Sequence, residues 1–219
     1  MFADRTDAGQ RLARELQKYR GKRALILAIP RGGVEVAFQV ARHLRAEFSL
    51  LVSRKLPYPD SPEAGFGAVA EDGSFYLVQE ANLWLTEPEI NRIKQEQVRE
   101  IQRRIKALRK GKPLPRISGR TVILVDDGLA VGSTMKAAVM LCRNQKAGRV
   151  VVAVPVAGGE AVRELREMAD EVTVLEIPPH FQAVAQAYRY WTDVTDEEVT
   201  QIMKDWQAHK KNKHKETEA

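Results

Sequence analysis

Two adjacent acids and the loop behind them hold the residues whose types and spacing could do chemistry. They lie in "VILVDDGLAVGST", residues 122–134. Four apolar residues lead into Asp126 and Asp127, which places two carboxylates at the end of a buried strand. Ionised carboxylates are costly to bury unless paired or coordinated, so the open strand end is their expected place. Adjacent residues there point in different directions. The pair can therefore grip two neighbouring hydroxyls of a sugar, or one hydroxyl and a hydrated Mg²⁺. Gly128 to Gly132 can turn tightly and expose successive backbone N–H groups, and "STMKAAV" opens a helix whose N-terminus adds donors and partial positive charge. Acids for a ribose beside amides for its phosphate describe a site for a ribose 5-phosphate.

Other short motifs fit less well. A P-loop requires G-x-x-x-x-G-K-[ST]; here the glycines stand one residue closer and Ser133 takes the lysine position. A dinucleotide fingerprint after the first strand is not met by "PRGGVEV". A response-regulator phosphoacceptor site has strand-end acids but does not call for a glycine-rich turn into a helix. The plain alternative is that the two Asp only cap the next helix. A second candidate anion loop is "ILAIPRGGVEVA", residues 26–37, where a strand ends at Pro30-Arg31-Gly32-Gly33 and a helix begins at once. Its glycines allow close approach to an anion, and Arg31 offers a charged fork suited to phosphate. Its plain alternative is a tight turn with a solvent-facing Arg.

The elements that must position these loops follow from the apolar pattern. Runs at 24–29, 48–53, 121–125, 149–156 and 171–177 are β-rich and mainly apolar, as strands buried on both faces are. Helical spacing fills the stretches between them: "GVEVAFQVARHLR", "STMKAAVMLCRNQ" and "GEAVRELREMA". This alternation predicts a doubly wound α/β fold, with a mainly parallel sheet of about five strands and helices on both faces. Ligands bind such sheets beyond the carboxyl ends of the strands, so the loops at 30–33, 54–65, 126–133 and 155–159 should converge on one crevice.

Two segments interrupt the rhythm. Residues 54–80 hold three prolines and three glycines and then a hairpin pattern closed near Asp72-Gly73. A loop this long is expected to be functional, often a lid. The second, 87–112, predicts one helix of roughly 35 Å at 1.5 Å per residue. Its Lys and Arg read as a solvated face, or as a polyanion-binding surface. The sequence divides into one domain over 1–207, with 54–80 as loop and hairpin and 178–195 as a segment after the last strand in which aromatics concentrate. A basic tail over 208–219, "KKNKHK" within it, is expected to be disordered.

The 219 residues are 44% hydrophobic and 29% charged, which describes an ordinary globular chain. No apolar run reaches the roughly 18 residues of a membrane span, and the first residues lack a signal-peptide core. Cys142 is the single cysteine, which excludes an intrachain disulfide or a multi-cysteine metal site. A cytoplasmic location and no membrane partner are expected. The net charge of +6 favours anionic partners without choosing among them.

The stretch from 122 to 134 resembles the motif that binds 5-phosphoribosyl-1-pyrophosphate (PRPP) in type I phosphoribosyltransferases: an apolar strand, two acids and a short loop around T-G-x-T. The resemblance covers roughly 24–177. It implies that Asp126 and Asp127 hold the ribose hydroxyls and, mainly through water, Mg²⁺. It also implies that Ala130, Val131, Gly132, Ser133 and Thr134 cradle the 5-phosphate. Where the family often has one or two Thr before the glycine, this chain has Ala130 and Val131. Pro30, Arg31, Gly32 and Gly33 resemble the pyrophosphate loop, and Pro30–Arg31 is the bond where that family's non-proline cis peptide is expected. Arg54 and Lys55 resemble the start of a flexible catalytic loop, a lid whose cations close over pyrophosphate. The resemblance makes 54–80 a flexible loop with its hairpin and 178–195 a small C-terminal hood, in which Phe181, Tyr188 and Trp191 are candidate base contacts; their alternative is to anchor the C-terminal helix.

The implied reaction displaces pyrophosphate from C1 of PRPP by a nitrogen nucleophile, usually of a nucleobase, through an oxocarbenium-like transition state. Asp126, Asp127, Arg31 and Lys55 would be the catalytic residues. A homodimer is among the expected assemblies. The rival is a PRPP-sensing regulator or nucleic-acid-binding protein on the same fold without turnover.

Overall fold

The computed structural model describes residues 1–78 and 81–217. The chain begins with α1 (Arg5–Glu15), β1 (Leu25–Ala28), α2 (Gly33–Leu44) and β2 (Glu47–Leu50). Three further strands follow, β3 (Ser53–Tyr58), β4 (Ser61–Ala70) and β5 (Phe75–Leu77), then α3 (Ala81–Trp84) and α4 (Glu87–Arg109). The alternation resumes with β6 (Thr121–Val125), α5 (Ser133–Asn144), β7 (Arg149–Val156), α6 (Gly159–Met168) and β8 (Glu171–Glu176), and α7 (Asp196–Thr217) ends it.

The main sheet has the order β2-β1-β6-β7-β8 with every pair parallel. Both its faces are covered, so β1, β6 and β7 are almost wholly apolar, while β8 at the edge is half-buried and carries Glu171, Thr173 and Glu176. Ile26, Ile123 and Val151 face one cluster with α1, α2 and α7, while Leu25, Leu27, Leu124 and Val152 face a second with α5 and α6. Register then sets the site. Ala28 stands opposite Val125, so the chain leaves β1 and β6 at the same level. The loops carrying Arg31 and the acid pair are neighbours where the strand order reverses, the place at which such sheets bind ligands.

Residues 54–80 differ from the expected flexible loop. They form a second sheet, antiparallel, in the order β3-β4-β5, which takes Ser53 away from the end of β2. The expected turn at Asp72-Gly73 is present, with Gly73 at φ +86°. An additional hairpin joins β3 to β4, with register shifts on both sides of Pro57. Leu56, Phe66 and Val69 give this sheet an apolar face that packs on Ile90, Ile93, Ile101 and Ile105 of α4. That burial overrides the turn-like composition. Residues 79 and 80, also within the expected loop, lie outside the described residues.

The C-terminal segment also departs from expectation. Helix α7 runs on through 208–217, where composition predicts disorder. Lys, Gln and Ala are strong helix formers, and Trp206 anchors the helix edge-on to Phe48 and Phe38. Residues 218 and 219 lie outside the described residues. Among those described, no helix is long and apolar enough to cross a membrane.

Candidate active site

The loop after β1 is built against the acids after β6. A Cβ added to Gly32 would sit 1.8 Å from Asp127 Oδ2, and one on Gly33 would sit 2.8 Å from Asp126 Oδ1. Glycine is required here because the two loops touch. The Pro30–Arg31 peptide is cis, as expected.

Asp126 is half-buried, and the Asp127 N–H donates to its Oδ1 at 2.9 Å. Burial and then the neighbouring charge of Asp127 push its carboxyl well above the usual aspartate range. Asp127 is held more tightly. Its Oδ2 accepts from Arg5 Nε at 2.8 Å and its carbonyl accepts from Tyr188 Oη at 2.5 Å. Arg5 is buried, donates to the Thr192 carbonyl at 2.8 Å and lies 3.9 Å over the Trp191 ring. Glu35 Oε2 stands 3.6 Å from the same guanidinium. One oxygen of Asp127 is thus committed to Arg5 in this structure.

Sequence reasoning missed Arg5. A signal existed: Asp4 caps α1 through the Asp7 N–H at 2.8 Å, so Arg5 occupies the first turn, where the helix dipole disfavours a cation. An arginine there needs an acid elsewhere.

The base of the loop after the acids is pinned by Leu129 N–H to the Val156 carbonyl at 3.0 Å and by Gly158 N–H to the Leu129 carbonyl at 2.9 Å. Gly132, at φ +76°, turns the chain into α5, while Ala130 and Val131 are exposed. The N–H groups of Ala130, Val131, Gly132, Ser133 and Thr134 have no acceptor among the described residues. They form a donor cradle at the start of a twelve-residue helix. Lys136, one turn on, is buried, paired with Glu164 and set over Tyr76.

Arg31 is exposed, with Nη1 3.8 Å from Asp196 Oδ1 at the start of α7; Arg103 Nη2 stands 4.0 Å from the other oxygen. Arg54 lies on β3, donates to Gln97 Oε1 at 3.0 Å, and is half-buried. Burial and then the neighbouring cations Arg104, Arg103 and Arg31 draw its pKa down. Arg54 therefore joins Arg31 and two arginines of α4 in one group. Lys55 does not: successive strand residues face opposite sides, and its ammonium donates to the Glu63 carbonyl. The expected lid cations are thus strand residues, and Arg54 alone is brought towards Arg31.

The segment expected as a hood is joined by the first residues of the chain, which the sequence did not show. Phe2 N–H donates to the Ala187 carbonyl at 2.8 Å, and Arg189 N–H returns to the Phe2 carbonyl at 2.9 Å. Tyr188 is buried between Phe2 and Trp191, at ring separations of 5.6 and 5.2 Å. In this structure Tyr188 and Trp191 support the acid pair, through the Asp127 carbonyl and Arg5, while Phe181 is half-buried beside Gly158. As metal donors the site offers two carboxylates. Among the described residues no group of three or more Asp, Glu, His or Cys is arranged to hold a metal ion. Such a set suits Mg²⁺ held through water and substrate oxygens rather than in a protein cage.

This fold and site have known relatives. The phosphoribosyl transferase domain family matches residues 4–190, and the chain belongs to that family. "Putative phosphoribosyl transferase Rv0571c" of Mycobacterium tuberculosis H37Rv is 40% identical over 205 residues, 93% of this chain and 46% of that protein. The matching protein of strain CDC 1551, "Putative phosphoribosyl transferase MT0597", gives the same figures. This chain therefore spans about half the length of the curated relatives it matches. The crystal structure of TT1426 from Thermus thermophilus superposes with a TM-score of 0.79 at 39% identity, covering 94% of this chain and 98% of that one.

Proposed function

We propose that the chain transfers the 5-phosphoribosyl group of PRPP to a nitrogen nucleophile, a nucleobase by preference, with release of pyrophosphate. One observation carries this reading: the acid pair after β6 touches the Gly32-Gly33 loop on one side and leads into a donor cradle on the other. Donors, carboxylates and Arg31 thus meet the 5-phosphate, ribose and pyrophosphate in the order in which PRPP presents them. Amides 130–134 hold the 5-phosphate with the help of the α5 dipole. Asp126, whose raised pKa follows from burial beside Asp127, gains most from a positive partner. Asp126 and Asp127 would hold Mg²⁺ mainly through water, and the ion would neutralise charge on the leaving pyrophosphate. Arg31, exposed beside Asp196, is placed to turn to the same leaving group.

The test is pyrophosphate release from PRPP and Mg²⁺ across a panel of purine and pyrimidine bases. Release should depend on one class of base and be lost in Asp126→Asn/Asp127→Asn. The engagement of Asp127 by Arg5 favours a second reading, a PRPP sensor without turnover. PRPP binding with no release on any base would support the sensor.

A further inference from the structure

A cavity of about 450 Å³ opens at the other end of the main sheet. Glu47, Phe48 and Ser49 of edge strand β2 line it. Since β2 runs parallel to β1 and β6, these residues lie at the amino ends of the strands, whereas the acid pair lies past the carboxyl ends. The last turns of α2 and α4 and the outer half of α7 complete the walls.

Two features of the lining point to one kind of ligand. The floor is apolar and aromatic, made by Phe48, Leu108, Met203 and Trp206, with the indole edge-on to the Phe48 ring at 5.4 Å. The rim is cationic. Arg42, Arg45, Lys110, Lys112 and Lys204 come from α2, α4 with the turn after it, and α7, and among the described residues none has an acid within 4.0 Å. Among the described residues the one acid in the lining, Glu47, is held by Arg120 at 2.9 Å. Arg109, also in the wall, is buried; its end groups bind Glu71 and the Leu50 carbonyl, but its Nε has no partner. Helix C-termini favour cations, which accounts for Arg45 and Lys110 one at a time. It does not account for five facing a single concavity whose only acid is already paired.

We propose that this cavity is a second ligand site, for an aromatic anion of mononucleotide size. Its volume falls in the range of small-molecule pockets. The floor takes a ring, and the rim takes a phosphate through charge-assisted hydrogen bonds. The site stands apart from the acid pair and does not rest on the transferase reading.

The test is calorimetric titration of the Asp126→Asn/Asp127→Asn protein, whose acid pair is disabled. AMP, UMP, adenosine and inorganic phosphate are titrated separately. AMP or UMP should bind saturably with one site per chain, and adenosine and phosphate should bind at least about tenfold more weakly, since each lacks half of the recognition. Arg45→Glu/Lys204→Glu in the same background should abolish binding. Thr200→Trp, which fills the cavity without changing charge, should do the same. Absence of saturable binding by either mononucleotide, or binding that survives both cavity variants, would overturn the proposal. So would an RNA oligonucleotide that binds through these cations while AMP and UMP do not, which would make the rim a nucleic-acid surface.

Discussion

Arg5 is the residue on which the acid pair depends. It neutralises Asp127, stacks on Trp191 and satisfies the Thr192 carbonyl, all while buried. Removing one partner of a buried ion pair leaves an uncompensated charge and costs about 3–5 kcal/mol. Arg5→Ala should therefore lower the melting temperature by at least about 6 °C, and Asp127→Asn in the same chain should recover part of that loss. A change under about 1 °C in a thermal melt would show that the pair holds nothing together. Glu171 gives a pH prediction at the same scale. Burial, its largest single influence, pushes the carboxyl up, but bonds from Lys18, Tyr19 and Arg149 outweigh it and bring it down to about 2. A carboxylate with a depressed folded pKa stabilises the fold above its unfolded value, near 4.5, and loses that contribution as pH falls towards 2. The melting temperature should drop across that window, and Glu171→Gln should flatten the drop. An unchanged profile in the variant would assign the acid sensitivity to other groups.

At the scale of elements, contact between two loops decides the site. The Gly32-Gly33 turn and the Asp126-Asp127 strand end interlock without room for a Cβ at residue 32. Gly32→Ala should destabilise the protein and remove its response to PRPP. A Gly32→Ala protein that melts within about 1 °C of wild type with its PRPP response intact would contradict that geometry. The central strands of the main sheet were legible because both faces are buried, so apolar residues run almost without a break. The meeting of the acids, the glycine loop after them and the Arg31 turn was legible because strand ends are marked locally in the sequence. What was not legible came from pairings far apart in sequence. Phe2 meets Ala187, Arg5 meets Asp127, and β3 becomes a strand only because α4 offers an apolar stripe to its sheet. Prolines at 57, 59 and 62 made that same stretch read as a loop. The aromatics after β8 were noticed, but Tyr188 supports the acid pair through the Asp127 carbonyl and Trp191 does so through Arg5, contacts between residues far apart in sequence.

Across the whole molecule, groups suited to ligands lie at both ends of one parallel sheet: acids, amide donors and Arg31 past the carboxyl ends, and a cationic concavity at the amino ends. The central claim is that the first of these binds PRPP with Mg²⁺. Ligand at about 100 times its dissociation constant adds about 2.7 kcal/mol of apparent stability. In a domain of this size that is a rise of roughly 5–10 °C. Thermal melts with saturating PRPP and Mg²⁺ should show that rise. Ribose 5-phosphate should give a smaller one, since it lacks the pyrophosphate that meets Arg31. Asp126→Asn/Asp127→Asn should fold and show no rise. An unmoved melting temperature in the wild-type protein under saturating PRPP and Mg²⁺ would contradict both the transferase and the sensor.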